Sequence, residues 1–247
     1  MIGSFFNFVI PGGVGGDVMK GYYIAKDNPT SRVKAVITIA MDRLLGLFAM
    51  MMMALAVMIW DFKTVNSQPE LQAIFWLLVI LFIGFLVFWS IIFSRRLSSL
   101  AFIEKLISLL PHHDKFLKLY RAFTSYKDLK HAFFYSLFWS LVGQSLSITQ
   151  LIYIGSLLGF SDVSYYTYFF VVPIGFMITA IPISPAGVGV GQAAFYFLFN
   201  LVHGQETSLG PTSITAFQIF GFICGLIGAF FYITYGKKVR IPEGESI

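Results

Sequence analysis

The chain has 247 residues, of which 57% are hydrophobic, 18% aromatic and only 12% charged, with a net charge of +5. Soluble domains average about 25% charged residues, and a water-soluble globule of this size has no interior large enough for so much apolar surface. Soluble enzymes, nucleic-acid binders and disordered chains are therefore excluded, and the basic excess reports instead which side of a membrane faces the cytoplasm.

The apolar arm Phe5–Ile10 comes first. Ten residues make only about 15 Å of helix, half a bilayer, and no basic region or small-residue cleavage site marks a signal peptide. Two readings stand: a half-membrane arm, or helices preceding Met1 that belong with it. Pro-Gly-Gly-Val-Gly-Gly-Asp follows at 11–17, with Asp17 placed as a helix N-cap and Lys20 one turn later. Its N-cap role would satisfy first-turn N–H groups, worth about 1 kcal/mol.

The first full span is Val33–Trp60, interrupted by Asp42 and Arg43; the second, Leu71–Ser94, has no charge. A charge at mid-membrane costs about 2.5–3.5 kcal/mol, so Asp42 and Arg43 are expected to face the bundle interior and to have partners. As sequence neighbours they point in different directions and cannot simply neutralise each other. A structural ion pair and a substrate contact both stay open for them.

Residues 95–130 are too polar to span and too apolar for a free loop, and their alternation at helical spacing predicts two cytoplasmic interfacial helices. His112 and His113, in the turn between them, have no carboxylate or Cys at ligand spacing. The third span, His131–Phe160, carries Ser136, Ser140, Gln144 and Ser147 on one face, a stripe suited to interhelical hydrogen bonds or a neutral ligand contact. From Val163 to Val202 no Asp, Glu, Lys or Arg occurs, but prolines and glycines break the run into a helix over Ser164–Ile183 and a shorter one over Gln192–His203. The last span, Thr212–Tyr235, has a small-residue face at Gly221, Gly225 and Gly228, read as packing within the chain or between copies of a homo-oligomer. Cys224, the only cysteine, excludes an intrachain disulfide and a Cys-based metal site.

Fifteen of the seventeen Lys and Arg residues fall on one side of these spans. The positive-inside rule makes that side cytoplasmic, the C-terminus included. Parity then requires the broken 164–203 unit to begin and end outside. The fold expected is an all-α polytopic membrane protein with five long transmembrane segments, two glycine-broken re-entrant segments and cytoplasmic interfacial helices. It forms one integral membrane domain over 1–247, with an arm and glycine loop at 1–16 and a second loop and short helix at 184–203.

The most informative feature is a near repetition. Pro-Gly-Gly-Val-Gly at 11–15 and Pro-Ala-Gly-Val-Gly at 185–189 each follow an apolar arm and lead into a short helix beginning near Asp17 or Gln192. Neither ends in the Gly-Lys-Ser/Thr of a phosphate-binding loop, and neither has the dinucleotide fingerprint. Non-helical backbone at membrane depth is tolerated only inside protein or beside a watered cavity, and paired interruptions point to a transporter's central site. Exposed N–H groups at the start of each short helix suit an anion such as a lipid phosphate.

Gly-Gly-Val-Gly-Gly-Asp-Val-Met-Lys (12–20), Met-Asp-Arg-Leu-Leu-Gly (41–46) and Ser-Pro-Ala-Gly-Val-Gly-Val-Gly-Gln-Ala-Ala-Phe (184–195) resemble the signature stretches of the lysylphosphatidylglycerol synthase membrane-domain, or flippase-like, family. The resemblance implies a helical fold with re-entrant glycine loops that moves lipids between leaflets, in some members aminoacylated phosphatidylglycerol. The family pattern usually has Arg at Lys20, which keeps charge but loses the bidentate fork suited to phosphate. It usually has Glu at Gln192, a carboxylate that could meet a lipid ammonium, and it normally has helices before the first glycine motif. No soluble aminoacyl-transfer domain follows the last span, so lysyl transfer is not expected.

The reading is a bacterial inner-membrane protein that translocates a phospholipid or related anionic lipid, without cofactor or metal. Its substrate-binding candidates are Gly15, Gly16, Asp17, Lys20, Asp42, Arg43, Gln144, Gly189, Gly191 and Gln192. Lys20 and Arg43 are assigned to phosphate, Asp17 or Asp42 to balance them. A membrane-embedded lipid-modifying enzyme is the rival, but it lacks an evident base; His131 and His203 stand alone near span ends. A small-solute channel and an inactive truncated family member are two further readings.

Overall fold

The computed structural model describes residues 2–9, 15–27, 32–94, 117, 120, 123–124, 130–160, 163–181, 183–204 and 206–236. Its helices are α1 (Ile2–Val9), α2 (Gly15–Asp27), α3 (Arg32–Trp60), α4 (Phe62–Ser67), α5 (Pro69–Phe93), α6 (Lys130–Leu157), α7 (Tyr165–Thr179), α8 (Val190–His203) and α9 (Leu209–Gly236), with a short 3₁₀ turn at Pro185–Gly187. No strand occurs among the described residues. The interfacial helices expected over 95–130 fall almost wholly outside the described residues.

Four helices have 25 to 29 residues (α3, α5, α6 and α9). At 1.5 Å per residue these are about 38–44 Å long, enough to cross a 30 Å hydrocarbon layer. With the segment Pro185–His203, five stretches are long and apolar enough to cross a membrane. Their outward surfaces are apolar: Trp76, Ile80, Ile83 and Val87 on α5 and Ile219, Ile223, Ile227 and Phe230 on α9 are all exposed. Contiguous apolar surface on that scale is not tolerated in water, so the solvent of these faces is hydrocarbon.

Contacts group the chain into two compact units: Met1–Asp27, Gln150–Val163 and Gly175–Ile247 in one, Asn28–Thr149 and Ser164–Ile174 in the other. In the second unit, α3 packs on α5 through Ile37, Met41, Leu45 and Phe48 against Trp89 and Ile92. The Phe48 and Phe82 rings stack with centroids 5.2 Å apart. Those four α3 positions recur every three or four residues, one face of a helix. Asp61 closes the turn between α3 and α4, its carboxylate accepting from the Thr64 N–H at 3.2 Å and the Thr64 hydroxyl at 2.6 Å.

In the first unit, α8 and α9 form an antiparallel pair. A Cβ on Gly210, at the start of α9, would collide with the Phe195 carbonyl of α8, so only glycine allows the helices to approach this closely. The carboxyl-terminal part of α7 runs antiparallel to α8 and also reaches α9, where the Phe176 and Phe217 rings lie 5.4 Å apart. Gly175 lies against the Phe195 ring, and Thr179 against Gly191. The helix expected over Ser164–Ile183 ends early, at Thr179, because Pro182 removes an N–H and steers the residue before it away from the helical region.

Candidate functional site

The second glycine segment is a kink built by its own residues. Ala186 has φ 49° and ψ 21°, and Gly187 and Gly189 have φ of 73° and 84°. Left-handed backbone is natural for the glycines and costs Ala186 about 1–2 kcal/mol. A Cβ on Gly187 would also stand 2.9 Å from the Thr179 Cβ, so the kink is pressed against the end of α7. α8 then starts at Val190, two residues before the expected Gln192, which occupies the third helical position.

From there Gln192 makes three hydrogen bonds. Its Oε1 accepts from the Gly189 N–H at 2.7 Å, capping the helix start. Its Nε2 donates to Thr215 Oγ1 at 3.0 Å and to Gln218 Oε1 at 2.8 Å, both on α9. Gln218 Nε2 in turn donates to the Ala186 carbonyl at 3.2 Å, and the Thr215 hydroxyl donates to the Pro211 carbonyl at 2.7 Å. Gln192 is thus a tether that ties the kink to α9, and both its N–H groups are engaged. The Ser184 hydroxyl contrasts with it: buried, with no hydrogen-bond partner among the described residues.

The first glycine segment is also a hairpin, though residues 10–14 at its tip lie outside the described residues. α1 runs antiparallel to α9: Phe8 meets Gly221 and Phe222, the Phe5 backbone covers Gly225, and Phe6 packs on Tyr232. The small-residue face is therefore occupied within the chain at Gly221 and Gly225, in line with its reading as packing within the chain. α2 folds back on α1 so closely that a Cβ on Gly16 would stand 2.6 Å from the Gly3 carbonyl oxygen. The Gly16 N–H donates to Asn7 Oδ1 at 2.7 Å.

Helix α2 begins at Gly15, so Asp17 is a first-turn acid rather than the N-cap expected from sequence. It suits the positive end of the helix dipole. Lys20 Nζ lies 3.7 Å from Asp17 Oδ1, with the lysine side chain 57% exposed and the aspartate 15%. The two hairpins also meet, since α1 touches the 3₁₀ turn of the second kink. Gly15, Gly16, Asp17, Lys20, Gly189, Gly191 and Gln192 are thus gathered in one unit. Gly16 and Gly191 are equivalent: each is the second residue of its helix and each is buried against another segment.

Asp42, Arg43 and Gln144 belong to the other unit. The inward stripe of α3 is the apolar one named above; Asp42 and Arg43 lie on its exposed side, where each makes an interaction. This corrects the interior placement expected from desolvation cost. Gln144 is half-buried on α6. Nearby, Ser145 and Ser147 donate to the Leu141 and Gly143 carbonyls of their own helix, so the polar stripe is partly satisfied internally rather than between helices.

Asn7, Thr215 and Gln218 hold the two hairpins by hydrogen bonds and are not among the candidates named from sequence. The signal exists: an amide inside an otherwise apolar membrane helix needs a partner as surely as a charge does. Gln218 stands in such a run, and Asn7 interrupts the Phe-rich arm.

The fold and these paired hairpins define a polytopic helical membrane protein with two glycine-kinked segments supported by one long helix. Residues 1–228 match the family described as the lysylphosphatidylglycerol synthase TM region, and the chain belongs to it. It is also similar to the UPF0104 membrane protein MJ1078 of Methanocaldococcus jannaschii, 25% identical over 245 residues, covering 98% of this chain and 99% of that protein. No solved structure matches the chain.

Proposed function

We propose that the protein carries a phospholipid or related anionic lipid between the leaflets of a bacterial inner membrane, with its C-terminus cytoplasmic. The observation that supports this reading is the pair of kinked hairpins leaning on one face of α9. Gln218 is about 14 Å from the amino-terminal end of that helix and Gly225 about 24 Å. Both supports therefore fall inside the hydrocarbon depth. α1 approaches them antiparallel to α9, while α7 enters parallel to it, so the hairpins come from opposite sides. The tips are re-entrant in this reading, and broken helices at mid-depth are how transporters present polar groups to a headgroup.

Lys20 and Arg43 are each assigned to phosphate, with Asp17 and Asp42 as their counter-charges and Gln144 as a neutral contact. Gly189 is exposed and is the point of the second kink that a headgroup can approach, whereas Gly15, Gly16 and Gly191 are buried and hold the two hairpins closed. Gln192 serves as the tether of its kink. The test is a leaflet-resolved lipid assay in proteoliposomes, comparing the intact protein with an Asp17→Ala, Arg43→Ala double variant. Loss of translocation in the variant is expected; equal rates would remove the assignment.

A further inference from the structure

Gly189 is exposed, and a Cβ placed on it would meet nothing within 4 Å, so the second kink is open to an approaching group. Two of the kink's backbone groups are nevertheless taken. The Gly189 N–H donates to Gln192 Oε1 at 2.7 Å, and the Ala186 carbonyl accepts from Gln218 Nε2 at 3.2 Å. The two carboxamides hold each other at 2.8 Å, and Thr215 steadies the first at 3.0 Å. As a unit, the glutamines present the kink with one acceptor and one donor, both neutral.

A lipid headgroup that joins a phosphate to a hydroxyl or an amine presents the same pair. A phosphate oxygen bonds an N–H more strongly than a neutral carboxamide does, because the bond is charge-assisted. The Gly189 bond is exposed and the Ala186 bond half-buried, so the acceptor is the first to be exchanged. We infer that Gln192 and Gln218 stand in for the headgroup and occupy the kink until a lipid displaces them. Phosphate then replaces Gln192 Oε1 on Gly189, and the headgroup's own O–H or N–H replaces Gln218 Nε2 on Ala186. The inference rests on the proposed transport and narrows the cargo to phospholipids whose headgroup carries a hydrogen-bond donor. A choline headgroup has none and would leave the Ala186 carbonyl unmet, which is how polar sites reject an analogue. An occupied kink also lowers apparent affinity, since only the released fraction binds.

The experiment titrates the intact, isotope-labelled protein in detergent micelles with short-chain phosphatidylglycerol or short-chain phosphatidylcholine. The Gly189 backbone amide and the Gln192 and Gln218 side-chain amides are followed by NMR. Phosphatidylglycerol should shift all three along one saturation curve, and phosphatidylcholine should act about tenfold more weakly. Gln192→Ala removes the stand-in acceptor and should raise phosphatidylglycerol affinity several-fold. Three resonances that stay in place throughout the phosphatidylglycerol titration, or equal curves for the two lipids, overturn the inference without recourse to a variant. Unchanged or weaker binding by a folded Gln192→Ala protein also overturns it. Displacement of both glutamines without translocation in proteoliposomes would remove the transport reading and leave the displacement standing. Translocation with unmoved glutamines would do the reverse.

Discussion

Gln192 on α8 and Gln218 on α9 are joined by a 2.8 Å hydrogen bond, and between them they hold the Gly189 amide and the Ala186 carbonyl. Two neutral side chains thereby fix a kink whose backbone would otherwise leave these polar groups unmet. Side-chain hydrogen bonds between membrane helices average about 0.6 kcal/mol, but stranding a buried partner costs about 1–3 kcal/mol. Gln218→Leu should therefore lower the unfolding midpoint in detergent. Gln192→Leu should do likewise, and the double variant should lose less than the sum of the two. Strict additivity would refute the coupling.

Gly210 and Gly84 separate packing from propensity. A side chain at Gly210 meets the Phe195 carbonyl, whereas one at Gly84, inside α5, meets nothing within 4 Å. Gly210→Ala should destabilise by about 1–3 kcal/mol through forced separation of α8 and α9. Gly84→Ala should be neutral or stabilising by about 0.5–1 kcal/mol. Thermal unfolding of the two purified variants distinguishes them.

Ala186 sits at φ 49°. Replacing it with glycine relieves a left-handed penalty of about 1–2 kcal/mol, offset in part by the greater freedom of the unfolded chain. Ala186→Gly should thus raise stability slightly, and Ala186→Val should lower it sharply. A rise with valine would show that the kink adopts another backbone.

The Asp61 carboxyl lies below the ordinary carboxylate value of 3.8, chiefly because the Thr64 hydroxyl donates to it. A depressed folded value means the cap is fully stabilising above the unfolded pKa and is lost as pH falls through the folded one. The Thr64 amide resonance should therefore titrate with a midpoint below 3.8. Asp61→Ala should speed hydrogen exchange across α4 by the equivalent of about 1 kcal/mol, with α9 unchanged.

Much of this fold is legible in the sequence because the bilayer leaves few choices. Val33–Trp60 differs from α3 by a single residue, since charge and apolar run length decide both. The second glycine motif marks a helix break, at Ala186–Gly189. Orientation around each helix is harder to see. Desolvation cost alone would put Asp42 and Arg43 inside, yet Ile37, Met41, Leu45 and Phe48 hold the inward face, because hydrophobic residues compete for the same stripe. The small-residue face of the last span suits any partner equally well, and only the structure shows that the chain's own first helix takes it. The roles of Gln192 and Gln218 depend on residues 26 apart meeting in space, which no local pattern encodes.

Thr215, Gln218, Gly221 and Gly225 fall along one side of α9, and both kinked hairpins lean on that side. One residue of a helix corresponds to a rotation of about 100°. A twist of α9 by that amount would withdraw the glutamine from the second kink and the glycine notch from α1 in the same movement. The helix is a common axle: neither hairpin can be released by its turning while the other stays seated.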